Sequence, residues 1–153
     1  MQPEKPTIIW RHKKENLKKC SLQPLIHRKD LNFYTYPRQC LPNYQNYILL
    51  TLDAPMLSTH DNNHGLLIID GTWRYAEKMM QRLDTSILIP RSLPSNIVTA
   101  YPRKQDDCSD PDRGLASVEA LYAAYYMMGY STAGILDDYY WGKAFLEKNK
   151  AFS

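Results

Sequence analysis

At 153 residues, with 44% hydrophobic residues, the chain is long enough for one domain with a sizeable core and too apolar for a disordered protein. The net charge of +3 is unevenly spread: residues 1–40 carry nine Lys or Arg against three Asp or Glu, and residues 41–153 carry ten against thirteen. We therefore expect a basic segment, 1–40, and a core, 41–153, within one domain. The basic segment favours a polyanion such as RNA, and a solvated basic leader is the alternative.

The cysteines exclude two classes of small protein. Cys20, Cys40 and Cys108 are widely spaced with no C-x-x-C pair, and none of the four histidines has metal-ligand spacing with them. We expect no disulfide framework, no metal site and a reducing, cytoplasmic compartment. No run approaches 18 consecutive apolar residues and the N-terminus is unlike a signal peptide, so no membrane association is expected.

Several short stretches have the composition of strands. Two of them, residues 47–52 and 66–69, are continuously apolar, which is typical of strands buried on both faces. Residues 97–101 are predicted as a later strand, closed by Pro102. The remaining strand-like stretches are residues 7–11, 32–36 and the short apolar run 86–90.

Three helices are predicted. The first follows Thr72 as N-cap and runs to Leu83, with Trp73, Ala76 and Met80 on one face. The second begins with Ser117 as the cap and ends at Gly129. The last is expected over residues 133–148, with apolar and aromatic side chains along it.

This order of elements predicts an α/β fold with a mostly parallel sheet. Loops after Leu50, after Ile69, around Leu93 and at 113–117 then meet at the carboxyl edge, where such sheets bind small molecules. Asp70 lies there beside a helix N-terminus and is the candidate catalytic acid, unless it only caps the helix or orders the loop. The absence of a Gly-rich phosphate loop and of G-x-S-x-G argues against classical dinucleotide, triphosphate and hydrolase sites.

The basic segment supplies candidate RNA contacts around the first strand. We expect RNA to cross residues 11–38, with its phosphates near a group of basic side chains, although lysine clusters alone are weak evidence. The candidates are Arg11, Lys13, Lys14, Lys18 and Lys19.

Residues 69–73, Ile-Asp-Gly-Thr-Trp, resemble the D-x-[ST]-W signature of the DTW-domain superfamily. Further segments resemble its ribosome-biogenesis branch, the rRNA aminocarboxypropyltransferases, and the resemblance covers about Arg11 to Asn149. Tyr101 and the polar residues 103–112 depart from the Asn-Pro-x-Asn-Tyr-Gly segment usual in the family, which leaves the RNA target open. The matching segments are residues 14–22, 93–102, 114–124 and 140–149.

The resemblance implies a single compact α/β domain, SPOUT-like and knotted, that binds S-adenosylmethionine and acts as a monomer. It implies transfer of the cofactor's 3-amino-3-carboxypropyl group to a ring nitrogen of a uridine-type base in RNA, with small-subunit rRNA favoured and tRNA second. A SPOUT-type RNA methyltransferase and a non-catalytic RNA-binding assembly factor are the alternatives. Cofactor binding and the group transferred discriminate among these readings.

The resemblance also implies a set of cofactor contacts. The ribose would meet the Ile69 carbonyl, and the methionine tail would reach Ser21 and Ser117. The sulfonium methyl would lie against Trp73 and Ala76, where the indole face also favours the positive charge. The adenine would lie against Leu50, Trp73, Leu93, Arg113, Leu115 and Ala120.

Overall fold

The computed structural model describes residues 1–15, 17, 20–102 and 114–152, without the side chain of Trp73. Its sheet has five strands, all parallel, in the order β2-β1-β4-β3-β5. The prediction of an α/β fold with a parallel sheet is confirmed. The strands are β1 (Thr7–His12), β2 (Leu31–Tyr36), β3 (Ile48–Leu50), β4 (Leu66–Asp70) and β5 (Ile89–Arg91).

The sheet is buried on both faces because its inner strands alternate between two apolar clusters. Ile9 and Ile68 belong to one cluster, whereas Ile8, Trp10 and Leu67 belong to the other. All six residues of β1 are buried, since β1 lies between β2 and β4. The basic segment 1–40 thus supplies two of the five strands.

Helices cover the two faces. The helix α1 (Trp73–Met80) adds Met79 to the cluster of Trp10, and α2 (Ser117–Met128) and α3 (Gly142–Lys148) pack on the cluster of Ile9. The result is a three-layer arrangement with the sheet in the middle. No helix among the described residues is long and apolar enough to cross a membrane.

The predicted strand at 97–101 is wrong. This segment pairs with side chains instead of a neighbouring strand: the Val98 N–H donates to Asn149 Oδ1 (2.8 Å) and the Ala100 N–H to Glu119 Oε2 (2.9 Å). Those two acceptors satisfy backbone donors that a strand would give to a ladder. The local apolar pattern does not distinguish a strand from a segment whose backbone bonds to side chains.

All three helix predictions need correction at their ends. The first helix ends at Met80 and not at Leu83. The last helix is limited to α3, because residues 133–141 turn back on themselves and Gly142 approaches the Leu136 carbonyl too closely for a Cβ, which would lie 2.8 Å away. Ser117 is the first residue of α2 and not its cap. Ala116 is the N-cap residue, and Ser21 from the loop after β1 adds a capping hydrogen bond, its Oγ accepting from the Val118 N–H at 3.1 Å. Gly129 ends α2 as predicted, with φ of 82°.

Candidate cofactor and RNA site

A cavity of about 560 Å³ lies at the carboxyl ends of β3 and β4. Leu50 and Ile69 come from the strands, Ala76 from α1, and Ser117 and Ala120 from the first turns of α2. Most of the lining is apolar, with the Ser117 hydroxyl among the polar groups. Such a lining suits a small ligand with a flat apolar part and a few polar groups.

A second, smaller cavity of about 280 Å³ shares Leu50, Leu115 and Ala120 with the first and adds Leu93. Together we call the two the cofactor cavity. Of the ten predicted cofactor residues, seven line it: Leu50, Ile69, Ala76, Leu93, Leu115, Ser117 and Ala120.

The other three predicted cofactor residues are placed differently. Arg113 lies outside the described residues, and Trp73 begins α1 but its side chain is not described. Ser21 does not line the cofactor cavity; it caps α2 next to Ser117. The structure therefore brings Ser21 to the edge of the site through the helix that it caps.

Asp70 ends β4 with only 3% of its surface exposed. Its Oδ2 accepts from Arg11 Nε at 3.1 Å and from Cys20 Sγ at 3.0 Å, and its Oδ1 accepts from Ser117 Oγ at 2.8 Å. Both carboxylate oxygens therefore have partners. These partners join β1, the loop after β1 and the start of α2 at one point.

The structure corrects the expectation that Arg11 contacts RNA. Its side chain is buried, and besides Asp70 it donates to Gln23 Oε1 (2.8 Å) and Cys20 Sγ (3.4 Å) and lies 4.9 Å from the centre of the Phe33 ring. A guanidinium with all these partners is held within the protein. Its charge balances Asp70 and is not presented to phosphate.

Cys20 is a hydrogen-bond donor in this cluster. Burial, and then the charge of Asp70, raise the pKa of its thiol to about 12, so it keeps its proton at neutral pH. Ligand atoms of Glu15, Cys20 and Asp70 lie within 4.8 Å of one another. In this structure the Cys20 thiol and both Asp70 oxygens are engaged in hydrogen bonds with each other, with Arg11 and with Ser117.

The basic candidates on the loop after β1 are only partly described. Lys13 and Lys14 are exposed, and Lys18 and Lys19 lie outside the described residues. Next to them the ring of His12 stacks on Tyr75, with centroids 4.0 Å apart and planes 9° apart. Burial, and then Lys14, Lys13 and Lys78, lower the pKa of His12, which places these lysines around the stack.

Sequence reasoning missed this basic and aromatic surface on α1. His12, Tyr75 and Lys78 lie on two separate elements, and only the pairing of β1 with β4, followed by α1, brings them together. It also missed a third cavity, of about 510 Å³, which Cys20 and Ser21 line together with aromatic residues near 139–141. The run Tyr139-Tyr140-Trp141 was the available signal, but it was interpreted as part of a helix.

The structure places the protein in the class of compact α/β domains with a parallel sheet and an apolar cavity at the carboxyl edge. Within that class, residues 48–152 match the model of the family described as "Ribosome biogenesis protein, C-terminal", and the chain belongs to this family. No curated protein sequence matches the chain.

The fold is similar to that of the SAM-dependent rRNA:acp-transferase Tsr3 from Vulcanisaeta distributa, with a TM-score of 0.75 and 23% sequence identity. The match covers 99% of this chain and 81% of that one. At this identity the likeness establishes a shared fold.

Proposed function

We propose that the protein transfers the 3-amino-3-carboxypropyl group of S-adenosylmethionine to a ring nitrogen of a uridine-type base in rRNA. The observation that carries this proposal is the convergence of seven sequence-predicted cofactor residues on one cavity. Membership of a ribosome-biogenesis family and the likeness to a SAM-dependent rRNA:acp-transferase support the same reading.

The cofactor cavity fits this ligand by size and chemistry. Its larger part, about 560 Å³, lies within the range of roughly 300–1,000 Å³ typical of small-molecule sites. Leu50, Leu93 and Leu115 offer apolar walls for an adenine ring, and Ser117 offers a hydroxyl for the polar tail. Ala76 is small, which leaves space for a methyl group beside α1.

When bound, S-adenosylmethionine would supply an electrophilic carbon next to its sulfonium, with the neutral thioether as leaving group and the proton of the accepting ring nitrogen passing to water. The protein's part is to choose which of three carbons faces the nitrogen. We propose that Ala76 and Trp73 cover the methyl and that Ser117 and Ser21 hold the end that carries the transferred group.

Asp70 is proposed to act mainly as a positioning residue. Its partners order Ser117 at the cofactor cavity and Cys20 on the loop after β1. A direct role as general base is the second candidate. It is less favoured because the carboxylate is 3% exposed and already accepts three hydrogen bonds, including one from Arg11.

Finer features of the proposal rest on the family resemblance. We propose small-subunit rRNA as the substrate with tRNA second, a monomer in the cytoplasm, and a knotted SPOUT-like path of the chain. The exposed Lys13 and Lys14 support an RNA partner.

A transfer assay tests the activity. Small-subunit rRNA and tRNA lacking the modification are each incubated with cofactor labelled either in the methyl group or in the carboxyl group. We expect carboxyl label and no methyl label in the rRNA. Methyl label would identify a methyltransferase, and cofactor binding without either label in any RNA would favour a non-catalytic assembly factor.

A further inference from the structure

The cavity of about 510 Å³ next to Cys20, which we call the aromatic cavity, has no assigned role. It is connected to the cofactor cavity through Asp70. Ser117, which lines the cofactor cavity, donates to Oδ1 of this carboxylate, and Cys20, which lines the aromatic cavity, donates to Oδ2. One buried carboxylate therefore contacts the walls of both cavities.

Ser21 provides a second connection. It lines the aromatic cavity, and its Oγ accepts from the N–H of Val118, the residue after Ser117. Three hydrogen bonds, two to Asp70 and one to Ser21, thus connect the walls of the two cavities at the start of α2. Ser117, which lines one cavity, and Ser21, which lines the other, are therefore both held at the first turn of α2.

The walls of the aromatic cavity suit a flat ring. Tyr101, Tyr139, Tyr140 and Trp141 all line it. Tyr140 is 85% exposed and stands edge-on to Trp141, with centroids 4.6 Å apart. A large aromatic side chain held at the mouth of a cavity is a typical platform for stacking an unpaired nucleobase.

Polar groups in the cavity match the edge of a uracil. Gln23 uses its Oε1 to accept from Arg11, so its amide NH₂ is left to donate to a carbonyl oxygen. Uracil presents a carbonyl on each side of its imide nitrogen, so Gln23 can donate to one carbonyl while the ring nitrogen stays free to face the cofactor cavity.

We propose that the aromatic cavity binds the target base, a uracil-type pyrimidine turned out of the RNA, with Tyr140 stacking on it, Trp141 meeting it edge-on and Gln23 donating to a carbonyl. This inference rests on the proposed function, since it places the accepting ring nitrogen beside the cofactor cavity. The loop after β1 carries the exposed Lys13 and Lys14 at one end and Cys20 at the other. It can therefore contact phosphates on the strand whose base enters the cavity.

Kinetics of Tyr140→Ala test the stacking role. Because Tyr140 is exposed, its truncation leaves the fold intact, and loss of base stacking is expected to raise the KM for rRNA about tenfold, with the affinity for S-adenosylmethionine unchanged. Tyr126→Ala is the matched control, since Tyr126 is also exposed and does not line the aromatic cavity. An unchanged KM in Tyr140→Ala would overturn the inference.

Gln23→Glu tests the reading of the carbonyl. The new carboxylate remains a partner for Arg11 but has no hydrogens to donate, so transfer to uridine is expected to fall more than tenfold while unfolding by urea is unchanged. Activity equal to wild type would remove Gln23 from the proposal.

Photocrosslinking separates this inference from the proposed reaction. A small-subunit rRNA fragment with 4-thiouridine in place of uridine is irradiated with the wild-type protein, and the crosslinked peptide is identified by mass spectrometry. A crosslink at residues 138–141 supports the cavity whether or not label is transferred. A crosslink confined to other segments overturns it, even when transfer is normal.

Discussion

The two faces of the sheet are built differently. On α2 the side chains of Val118, Leu121, Tyr125 and Met128 are all fully buried, whereas among the described side chains of α1 only that of Met79 is buried. The cavity wall on α2 is therefore held by packing on several sides. The wall on α1 depends on far less buried surface.

The polar groups near α2 and those near α1 also differ. Near α2 they are buried and paired: Asp70 has three donors, and the fully buried Glu119 accepts from Thr99, Ala100, Ala116 and Tyr139. Near α1 the ring of His12 stacks on Tyr75 among lysines. The comparison teaches that the α2 face fixes the geometry of the site, whereas the α1 face carries exposed lysines around a half-buried aromatic stack, to which we assign the proposed RNA contact.

The largest effect is expected from Asp70→Asn, which breaks the polar cluster on the α2 face. Removing the negative charge leaves Arg11 buried without its counter-charge, so we expect a loss of about 3–5 kcal/mol in the free energy of unfolding. Urea unfolding measures it, and Asp53→Asn, an exposed position at the same sheet edge, is the control. A loss below about 1 kcal/mol would mean that the cluster is not a determinant of stability.

Truncations on the two faces compare their packing directly. Leu121→Ala empties a fully buried position on α2 and should cost about 2–5 kcal/mol. Tyr75→Ala on α1 removes a half-buried ring and its stack on His12, for which about 1 kcal/mol is expected. Equal losses in urea unfolding would contradict the division between the faces.

The strands and α2 were predictable because each is specified locally. A continuous apolar run marks β4, and spacing of three and four residues followed by Gly129 marks α2. The segment at 97–101 has the same local pattern as a strand, but its backbone donors are satisfied by Glu119 and Asn149, which lie far along the chain. Local pattern contains no information about such partners.

In the candidate site, too, some features follow from the local sequence and others depend on contacts between distant residues. The place of Asp70, at the end of a strand and before a helix, follows from the sequence. Its partners Arg11, Cys20 and Ser117 are 59, 50 and 47 residues away, and only the parallel pairing of β1 with β4 and the packing of α2 bring them together. Most of the cofactor contacts were inferred from the family resemblance, because no periodicity distinguishes a cavity wall from a core position.

Charge reversal tests the role assigned to the α1 face. In the variant Lys13→Glu/Lys14→Glu/Lys78→Glu we expect weaker rRNA binding and a smaller dependence of the affinity on salt, since each phosphate contact contributes about one unit to the slope. Filter binding at several salt concentrations measures both quantities. The control reverses Lys143, Lys148 and Lys150, exposed residues on and after α3. Equal effects of the two triple variants would remove the α1 face as the preferred surface.

A smaller effect on the α1 face is expected in the pH dependence of the free energy of unfolding. Burial and then Lys14, Lys13 and Lys78 lower the pKa of His12 in the folded protein, so the folded state binds its proton less readily than the unfolded state. The contribution of neutral His12 to the free energy of unfolding is therefore fully present above the unfolded pKa of about 6.5. It is lost as pH falls through the folded pKa. Urea unfolding at pH 7.5 and pH 5.5 should show a larger loss for wild type than for His12→Phe, which keeps a ring on Tyr75. An equal loss in both proteins would exclude His12 as the source.

Alkylation of the cysteines measures how well the folded α2 face protects Cys20, with no substitution needed. Cys20 is buried and its pKa is raised to about 12, whereas Cys40 is exposed. Since only the thiolate reacts with iodoacetamide, at pH 8 we expect rapid modification of Cys40 and protection of Cys20 until urea unfolds the chain. Peptide mapping by mass spectrometry follows each cysteine separately. If Cys20 reacts in the native protein as fast as Cys40, the loop after β1 opens away from Asp70 in the folded state.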